Sequence, residues 1–465
     1  MTDRLTPLAD AFLEVEDVDP DVTLAIGSLA VFAGPPPTLE ELRTAIAGRL
    51  PLIPRYRQKL RRVPLGLAAP TWVDDPDFDL THHLVEATVA PPGGKAEVAT
   101  LVNDLMATRM DRDRPLWEYT LVQGIAGGRW GLLSKVHHCV VDGVSGTELY
   151  QLLLDLTPEP GPAVPDTWEP APPEPTWRFT TTAAREMVAS PLHAAAAVTR
   201  AARRPVRLAR TTYGALTGLL PMTAALRPVH TTSLHGPVGP GRRWTWTDVA
   251  MDDVQAVRHA HGVSVNDVAL AALSAGFRTL LDTRGEAPDR RALRALVPVS
   301  TRRPGEESIP DNRVTLLMPF LPVDVADPVE RLGVVHERVA GLRAWHEPEA
   351  GEGITGVAGV SPFPSVHWGL QIGWRLPQHM VSTVATNVPG PPVPLYALGR
   401  EMLEVIPYVP IANRVRISTA IFSYHGRLAF GLTGDRATTL DLDVLADGIV
   451  EGVRELVATV PQTTR

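Results

Sequence analysis

The stretch His137-His138-Cys139-Val140-Val141-Asp142-Gly143 follows a strand-like segment, residues 129–136, and decides how the rest of the chain is interpreted. An imidazole that titrates near neutral pH can take a proton from a hydroxyl group as that group attacks a carbonyl. Asp142 can hold the following turn rigid through a local hydrogen bond or ion pair. Gly143 lets the chain turn sharply and lets a substrate approach the backbone. The stretch therefore predicts general-base chemistry centred on its histidines.

The alternative interpretation is structural, because Asp-Gly is a strong turn signal and paired histidines are often satisfied core residues. A second pair in the chain, His82-His83, also follows a plausible strand edge. Four residues after His83 stands Ala87, whereas four residues after His138 stands Asp142. The complete motif, and not the histidine pair, carries the prediction.

Cys139 is the single cysteine of the chain, so an intrachain disulfide and a cysteine-based zinc site are excluded. No metal site is predicted. Cys139 itself is either a nucleophile activated by a neighbouring histidine or a small apolar side chain. Because successive side chains of a strand point to opposite faces, packing is the preferred interpretation.

Composition excludes several classes of protein. The chain has 465 residues, 44% of them hydrophobic, and a formal net charge of −8, which is typical of a large folded core and not of a general nucleic-acid binder. The first ten residues contain no apolar stretch, so no signal peptide is expected. No run of about 20 apolar residues is present, and any membrane contact should be peripheral.

Strand-like and helix-like segments alternate along the chain, which predicts the α/β class. Residues 22–33 form a strand-like run, and Thr38 with Glu41 forms a capping box for a helix towards Leu50. Further helices are predicted at 144–156 and 264–281, and further strands at 293–300, 314–321, 414–423 and 427–433. At this length two domains are expected, and we predict domains at 1–156 and 231–465 joined by a linker at 157–230.

The linker is rich in proline up to Thr176 and rich in arginine afterwards. Between residues 178 and 227 the single acid is Glu186, whereas arginine occupies positions 178, 185, 200, 203, 204, 207, 210 and 227. Cationic side chains beside Ala, Val and Leu are typical of an element that lies on a membrane surface. A solvated helix covering one domain is the alternative.

Motifs spread over the chain resemble one known family, the bacterial wax ester synthase/acyl-CoA:diacylglycerol acyltransferases. More widely, HHxxxDG is similar to the motif of chloramphenicol acetyltransferase and of peptide-synthetase condensation domains. The matching segments, in chain order, are Pro115-Leu116-Trp117, Val265-Asn266-Asp267-Val268, Val297-Pro298-Val299-Ser300-Thr301-Arg302, Thr386-Asn387-Val388-Pro389-Gly390-Pro391 and Ser423-Tyr424-His425-Gly426-Arg427-Leu428.

The chain departs from the family pattern at two places. The family commonly has Gly-Asn where this chain has Asp311-Asn312. The family's Ser-Leu-Asn-Gly after the linker is Ser233-Leu234-His235-Gly236 here. Neither departure touches the predicted base, but either can alter a substrate pocket.

The resemblance implies two chloramphenicol-acetyltransferase-like domains with mixed sheets flanked by helices and an active site at their interface. It implies direct acyl transfer from acyl-CoA, with His138 as general base and His137, Asp142 and Gly143 completing the motif. Asp142 would pair with an arginine, and Arg302 is the candidate. Asn266 is a candidate oxyanion donor, although it also lies at a helix start.

Other motif residues receive structural interpretations. Ser264 and Asp267 are predicted to cap the helix at 264–281. Trp117 is assigned to packing or to a pocket wall. Asn387 and Gly390, in a proline-rich segment, are expected to shape a turn or support the substrate site.

The function implied is acyl transfer to diacylglycerol, to a long-chain alcohol or to both, with acyl-CoA as co-substrate and no tightly bound cofactor. Such acceptors imply peripheral contact with the inner face of the membrane or with lipid droplets in the cytoplasm. Two alternatives stay open: an acyltransferase for a complex lipid or secondary metabolite, and a catalytically idle lipid-droplet surface protein. The intact HHxxxDG motif disfavours the second.

Overall fold

The computed structural model describes residues 4–63, 68–142, 154–172, 175, 181, 228–300, 314–345 and 378–461. The seven helices that matter below are α1 Pro7–Val18, α2 Leu39–Ala47, α3 Lys95–Ala107, α4 Met251–His261, α5 Val265–Thr283, α6 Pro328–Trp345 and α7 Leu442–Val457. The strands of the first half are β1 Ala25–Phe32, β2 Gln58–Arg61, β3 Thr71–Asp74, β4 Leu84–Thr88, β5 Trp117–Ile125 and β6 Arg129–His137. Those of the second half are β7 Arg242–Ala250, β8 Ala295–Ser300, β9 Val314–Leu317, β10 Thr383–Pro389, β11 Tyr396–Ala397, β12 Arg400–Tyr408, β13 Ile417–Tyr424 and β14 Arg427–Asp435.

Two six-stranded mixed sheets organise the molecule, and they confirm the predicted α/β class. The first has the order β11-β12-β1-β6-β5-β4, and the second has the order β7-β14-β13-β10-β8-β9. Parallel pairing occurs between β4 and β5 and between β10 and both β8 and β13, whereas the other neighbours are antiparallel. Helices α5 and α7 pack on the second sheet around an apolar core that includes Phe277 and Ile449.

The first sheet contains two strands from the C-terminal half of the chain, β11 and β12. Strand β12 pairs antiparallel with β1, from Gly27 opposite Tyr408 to Phe32 opposite Met402. The division into domains at 1–156 and 231–465 stays a prediction, but pairing across 370 residues shows that the two halves share a sheet.

The two sheets also approach each other closely where β12 crosses β14. A Cβ atom at Gly431 would lie 1.7 Å from the carbonyl oxygen of Pro407, so only glycine fits there. The indole Nε1 of Trp244 donates to the same carbonyl at 3.3 Å. The two sheets are therefore closely packed at this point of the junction.

Local signals explain most of the elements predicted from the sequence. Thr38 and Glu41 form the expected capping box of α2, and Ser264 and Asp267 form another at the start of α5. The hairpin between β13 and β14 turns at His425 and Gly426, both with positive φ. Part of the predicted helix at 144–156, together with Gly143 and Arg302, lies outside the described residues, as does 178–227 apart from Thr181.

Candidate functional site

The histidine motif begins at the last residue of β6 and continues into a single 3₁₀ turn, His138–Asp142. The turn is anchored by its backbone, since His137 N–H donates to Leu116 O at 3.0 Å and His138 N–H donates to Leu24 O at 3.2 Å. Leu24 immediately precedes β1, and Leu116 immediately precedes β5. The strands on either side of β6 therefore set where the two histidines stand.

The two histidines have different surroundings. His137 is buried, with 2% of its surface exposed, whereas His138 is half-buried. The His138 ring stacks on Phe12 of α1, with 4.0 Å between ring centroids and 27° between planes. His137 is therefore enclosed, and His138 is the histidine that a substrate can reach.

Hydrogen bonds define the tautomer of His137. The backbone N–H of Cys139 donates to Nδ1 of His137 at 3.2 Å, so Nδ1 is the unprotonated nitrogen. The proton then sits on Nε2, which lies 3.3 Å from Oε1 of Glu16. The contact does not meet the geometry of a hydrogen bond, and the attraction between the ring and the carboxylate is chiefly electrostatic.

Glu16 is the centre of a buried charged network on α1. Its Oε1 accepts the Leu24 N–H at 2.6 Å, and its Oε2 accepts from Arg112 at 2.9 Å. Burial raises the pKa of Glu16, but the close contact with His137, the Leu24 N–H and Arg112 together lower it from 4.5 to about 2. Glu16 is therefore ionised throughout the neutral range and holds the His137 end of the motif against α1.

Contrary to the expectation from the sequence, Cys139 does not lie on a strand. It lies on the 3₁₀ turn and not on the strand, so its side chain does not point away from both histidines. Its Sγ lies 2.9 Å from Nδ1 of His137. Burial still favours the packing interpretation, because Cys139 is 1% exposed and belongs to the core cluster with Trp117 and Tyr56.

Asp142 ends the 3₁₀ turn, and its predicted partner Arg302 lies outside the described residues, as does Gly143. The pairing of Asp142 with Arg302 therefore stays a prediction.

Trp117 is a buried wall beneath the motif. Its indole Nε1 donates to Tyr56 O at 2.8 Å, and its ring stacks on Tyr56 and on His83, each at 4.4 Å. His83 Nδ1 lies 2.8 Å from the carbonyl oxygen of Trp117. Burial lowers the pKa of His83. The pair His82-His83 thus contributes one exposed residue and one aromatic core residue.

The second group of predicted residues lies at the start of α5 and the end of β10. Asn387 Nδ2 donates to Oδ1 of Asn266 at 3.2 Å, and this bond joins two motifs that are 121 residues apart. Nδ2 of Asn266 is buried and has no hydrogen-bond partner among the described residues. The Asn266 side-chain amide therefore has an unused N–H donor, and amide donors of this kind can stabilise an oxyanion. Asn266 lies one position before Asp267, which caps the helix.

The remaining motif residues have structural roles. Asp267 accepts from the Ser264 N–H at 2.9 Å and also contacts Nδ1 of His336 at 3.0 Å. Gly390 follows β10, and a Cβ atom there would lie 2.1 Å from the carbonyl oxygen of Ser423. The close approach of the β10 and β13 ends explains glycine at this position.

Glu16, Arg112 and Phe12 are not predicted as site residues from the sequence. Thr6 as N-cap with Pro7 at the first helical position was a detectable signal for α1. The burial of Glu16 beneath His137 had no local signal, because 121 residues separate the two side chains.

Comparisons with known proteins cover nearly the whole chain. The model of the wax ester synthase/diacylglycerol acyltransferase catalytic domain matches residues 5–269, and that of the WS/DGAT C-terminal domain matches residues 311–457. A probable diacylglycerol O-acyltransferase of Mycobacterium tuberculosis is 40% identical over 457 residues, covering 98% of this chain and 96% of its own. A putative diacylglycerol O-acyltransferase of the same species is 33% identical, covering 98% of this chain and 91% of its own.

Solved structures agree with this assignment. The wax ester synthase/diacylglycerol acyltransferase of Marinobacter aquaeolei superposes with a TM-score of 0.65 at 25% identity, covering 98% of this chain and 99% of its own. The first condensation domain of the calcium-dependent antibiotic synthetase has a TM-score of 0.59 at 19% identity, covers 99% of this chain and 97% of its own, and shows the shared fold. The chain belongs to the wax ester synthase/diacylglycerol acyltransferase family and is an acyltransferase.

Proposed function

We propose that this enzyme transfers a fatty acyl group from acyl-CoA to the hydroxyl group of a diacylglycerol, a long-chain alcohol or both. Family membership supports the ester-forming activity and both acceptor classes. The observation that carries the assignment of the base is the contrast between an enclosed His137 and a half-buried His138 on one anchored turn.

In this mechanism His138 takes the proton of the acceptor hydroxyl as its oxygen attacks the thioester carbonyl. The C–S bond then breaks, the acceptor becomes the ester, and CoA leaves as the thiol after receiving the proton from His138. No acyl-enzyme forms. A positioned general base contributes about 10²–10⁴-fold to the rate.

Two further groups support the step. The Glu16–His137 contact holds the residue before His138, and stacking on Phe12 restrains the His138 ring. The open Nδ2 donor of Asn266 is the proposed oxyanion donor, a type of contact worth on the order of 10²–10³ in rate.

Replacing the base tests the proposal directly. His138→Ala should lower ester formation from palmitoyl-CoA with dioleoylglycerol or hexadecanol by at least about 10²-fold, with little change in thermal stability. His82→Ala, which removes an exposed histidine of the other pair, is the matched control and should keep wild-type activity. Activity of His138→Ala within a few-fold of wild type contradicts the assignment.

The acceptor reaches the enzyme from a membrane or an oil phase, and we propose that the enzyme works at that surface on the cytoplasmic side. Among the described residues no helix has the length and apolarity needed to cross a bilayer. The eight arginines of 178–227 favour an anionic surface, where each is worth about 1 kcal/mol. Equal sedimentation with anionic liposomes of the intact chain and of a chain lacking 178–227 contradicts this assignment.

A further inference from the structure

A cluster of basic side chains, called the basic basin, lies in the second half of the molecule and includes the segment in which the chain departs from the family's Ser-Leu-Asn-Gly pattern. It is formed by the segment at Ser233–Gly236, the residues before β10 and the loop before β13. Its basic side chains are His235, His379, Arg414 and Arg416. His235 is the residue that stands where the family pattern has asparagine.

His235 forms the floor of this basin. It is 6% exposed, and its ring centroid lies 5.1 Å from that of the exposed His379. Nε2 of His235 is buried and has no hydrogen-bond partner among the described residues. An open hydrogen-bonding position on a buried imidazole is costly unless a ligand or water completes it.

The charge around this floor is cationic. Burial lowers the pKa of His235 to about 4, with Arg414, His379 and Arg416 lowering it as well, while the Gln378 carbonyl raises it. At neutral pH the ring is therefore uncharged, and the two arginines supply the positive charge. The field of these neighbours favours an anion in contact with the ring.

Among the described residues, two carboxylates near this cluster, those of Glu286 and Asp441, make their bonds to other groups. Glu286 accepts the Ser233 N–H at 2.9 Å, and Asp441 pairs with Arg284 through a 2.7 Å bond. Arg416 is held in place by donating to Ser233 O at 3.1 Å. Among the described residues the Arg414 side chain has no hydrogen bond or ion pair, and its Nε is buried.

The backbone that presents Arg414 is held in an unusual conformation. Asn413 and Arg414 have φ values of 46° and 69°, the left-handed region that non-glycine residues rarely adopt. The surroundings stabilise this turn, because Gln378 Nε2 donates to Asn413 O at 2.9 Å and Gly236 N–H donates to Arg414 O at 3.0 Å. Strained backbone that the fold maintains is concentrated at ligand-binding positions.

The same loop leads to the histidine motif. Ala412 packs on the small apolar cluster of Val15, Val22 and Leu24, as does Phe12, whose ring stacks on His138. A group bound at Arg414 would thus be connected to the reaction site through one short loop.

We propose that this basin binds a phosphate group. Its dianionic oxygens would accept from the Arg414 and Arg416 guanidinium groups, and its charge would favour protonation of His235, whose Nε2–H then donates to it. Phosphate groups reach this enzyme from two sources, the CoA part of the acyl donor and anionic lipid headgroups. The first source rests on the proposed function, because it requires that acyl-CoA is the donor.

Direct binding measurements on the full chain separate the two sources. Titration calorimetry at low salt should give a dissociation constant for CoA that is about tenfold higher in Arg414→Gln than in wild type, since one charge-assisted hydrogen bond is lost. His235→Asn, which restores the family residue, should weaken CoA binding by a smaller factor. Arg454→Gln removes a 71% exposed arginine on α7 and is the charge-matched control with unchanged binding.

The second arm uses vesicles of phosphatidylglycerol and of phosphatidylcholine. Weaker binding of Arg414→Gln to CoA alone assigns the basin to the acyl donor, and weaker binding to phosphatidylglycerol vesicles alone assigns it to the lipid headgroup. Wild-type binding of both probes by Arg414→Gln, with an unchanged melting temperature, overturns the proposal. His138→Ala leaves the basin unchanged and should bind CoA normally. These measurements involve no turnover, so failure of the proposed base and failure of the proposed phosphate site are separate results.

Discussion

Two histidine pairs occur in this chain, and they stand in opposite kinds of environment. His83 lies between the rings of Phe78 and Trp117 and contacts a backbone oxygen. His137 faces the buried carboxylate of Glu16, and its neighbour His138 stays half-buried. The same dipeptide therefore places one ring in an aromatic core at His83 and leaves a half-buried ring, the proposed base, at His138. What separates them is the charged network supplied by α1, which the HHxxxDG pattern does not contain.

The largest effect on stability should come from removing that network. Glu16→Ala leaves the buried Leu24 N–H without its acceptor and removes the carboxylate that faces His137. Arg112 keeps its ion pair with Asp17 but loses that with Glu16. Together these losses should cost about 3 kcal/mol. Urea unfolding should show this loss. Glu40→Ala, which removes a 71% exposed glutamate, should change the free energy of unfolding by at most about 0.5 kcal/mol.

The Glu16 carboxylate should also make the free energy of unfolding fall as the pH is lowered. The pKa of Glu16 is about 2 in the folded chain and 4.5 when unperturbed, so the unfolded chain binds more protons between these values. Its contribution of about 3 kcal/mol is complete above pH 4.5 and is lost as the pH falls towards 2. Glu16→Ala should show a flatter stability profile in this window, and an identical slope in both proteins contradicts the network.

How much of this was predictable depended on the distance of the interacting residues along the chain. The α5 cap at Ser264 and Asp267 and the His425-Gly426 turn depend on residues a few positions apart, and the sequence predicted both. The pairing of β12 with β1 and the contact of Glu16 with His137 join segments far apart, and no local pattern encodes them. The motif thus led to the proposed base, whereas the residues that contact the motif, such as Glu16, could be found only from the fold.

A smaller loss of stability should follow from replacing His83 of the other histidine pair. His83→Ala removes a stacked ring between Phe78 and Trp117 together with a 2.8 Å contact, and truncating such a buried aromatic side chain costs about 2 kcal/mol. The rate of ester formation below the melting temperature should stay within about twofold of wild type. Chemical denaturation and a steady-state assay on the same preparation measure both quantities.

His138→Ala should give the reverse result, with the rate lost and the free energy of unfolding nearly unchanged. Each of the two variants should thus change one quantity, the rate or the free energy of unfolding, and leave the other nearly unchanged. If His83→Ala lowered the turnover number as strongly as His138→Ala does at equal folded fraction, the division between a packing pair and a catalytic pair would be wrong.

The smallest effect should come from Cys139, which contacts His137 of the motif and for which we expect a packing role. Cys139→Ala removes the Sγ contact with His137, but the backbone N–H at position 139 still donates to Nδ1, so the tautomer of His137 is kept. Loss of one buried sulfur from the core should cost about 1 kcal/mol and leave the rate within a few-fold of wild type. A thiol nucleophile would instead form a thioester at Cys139, and the variant would lose activity as severely as His138→Ala. Mass spectrometry of enzyme quenched during turnover separates these outcomes, since direct transfer leaves Cys139 unmodified and a covalent mechanism adds the mass of one acyl group there.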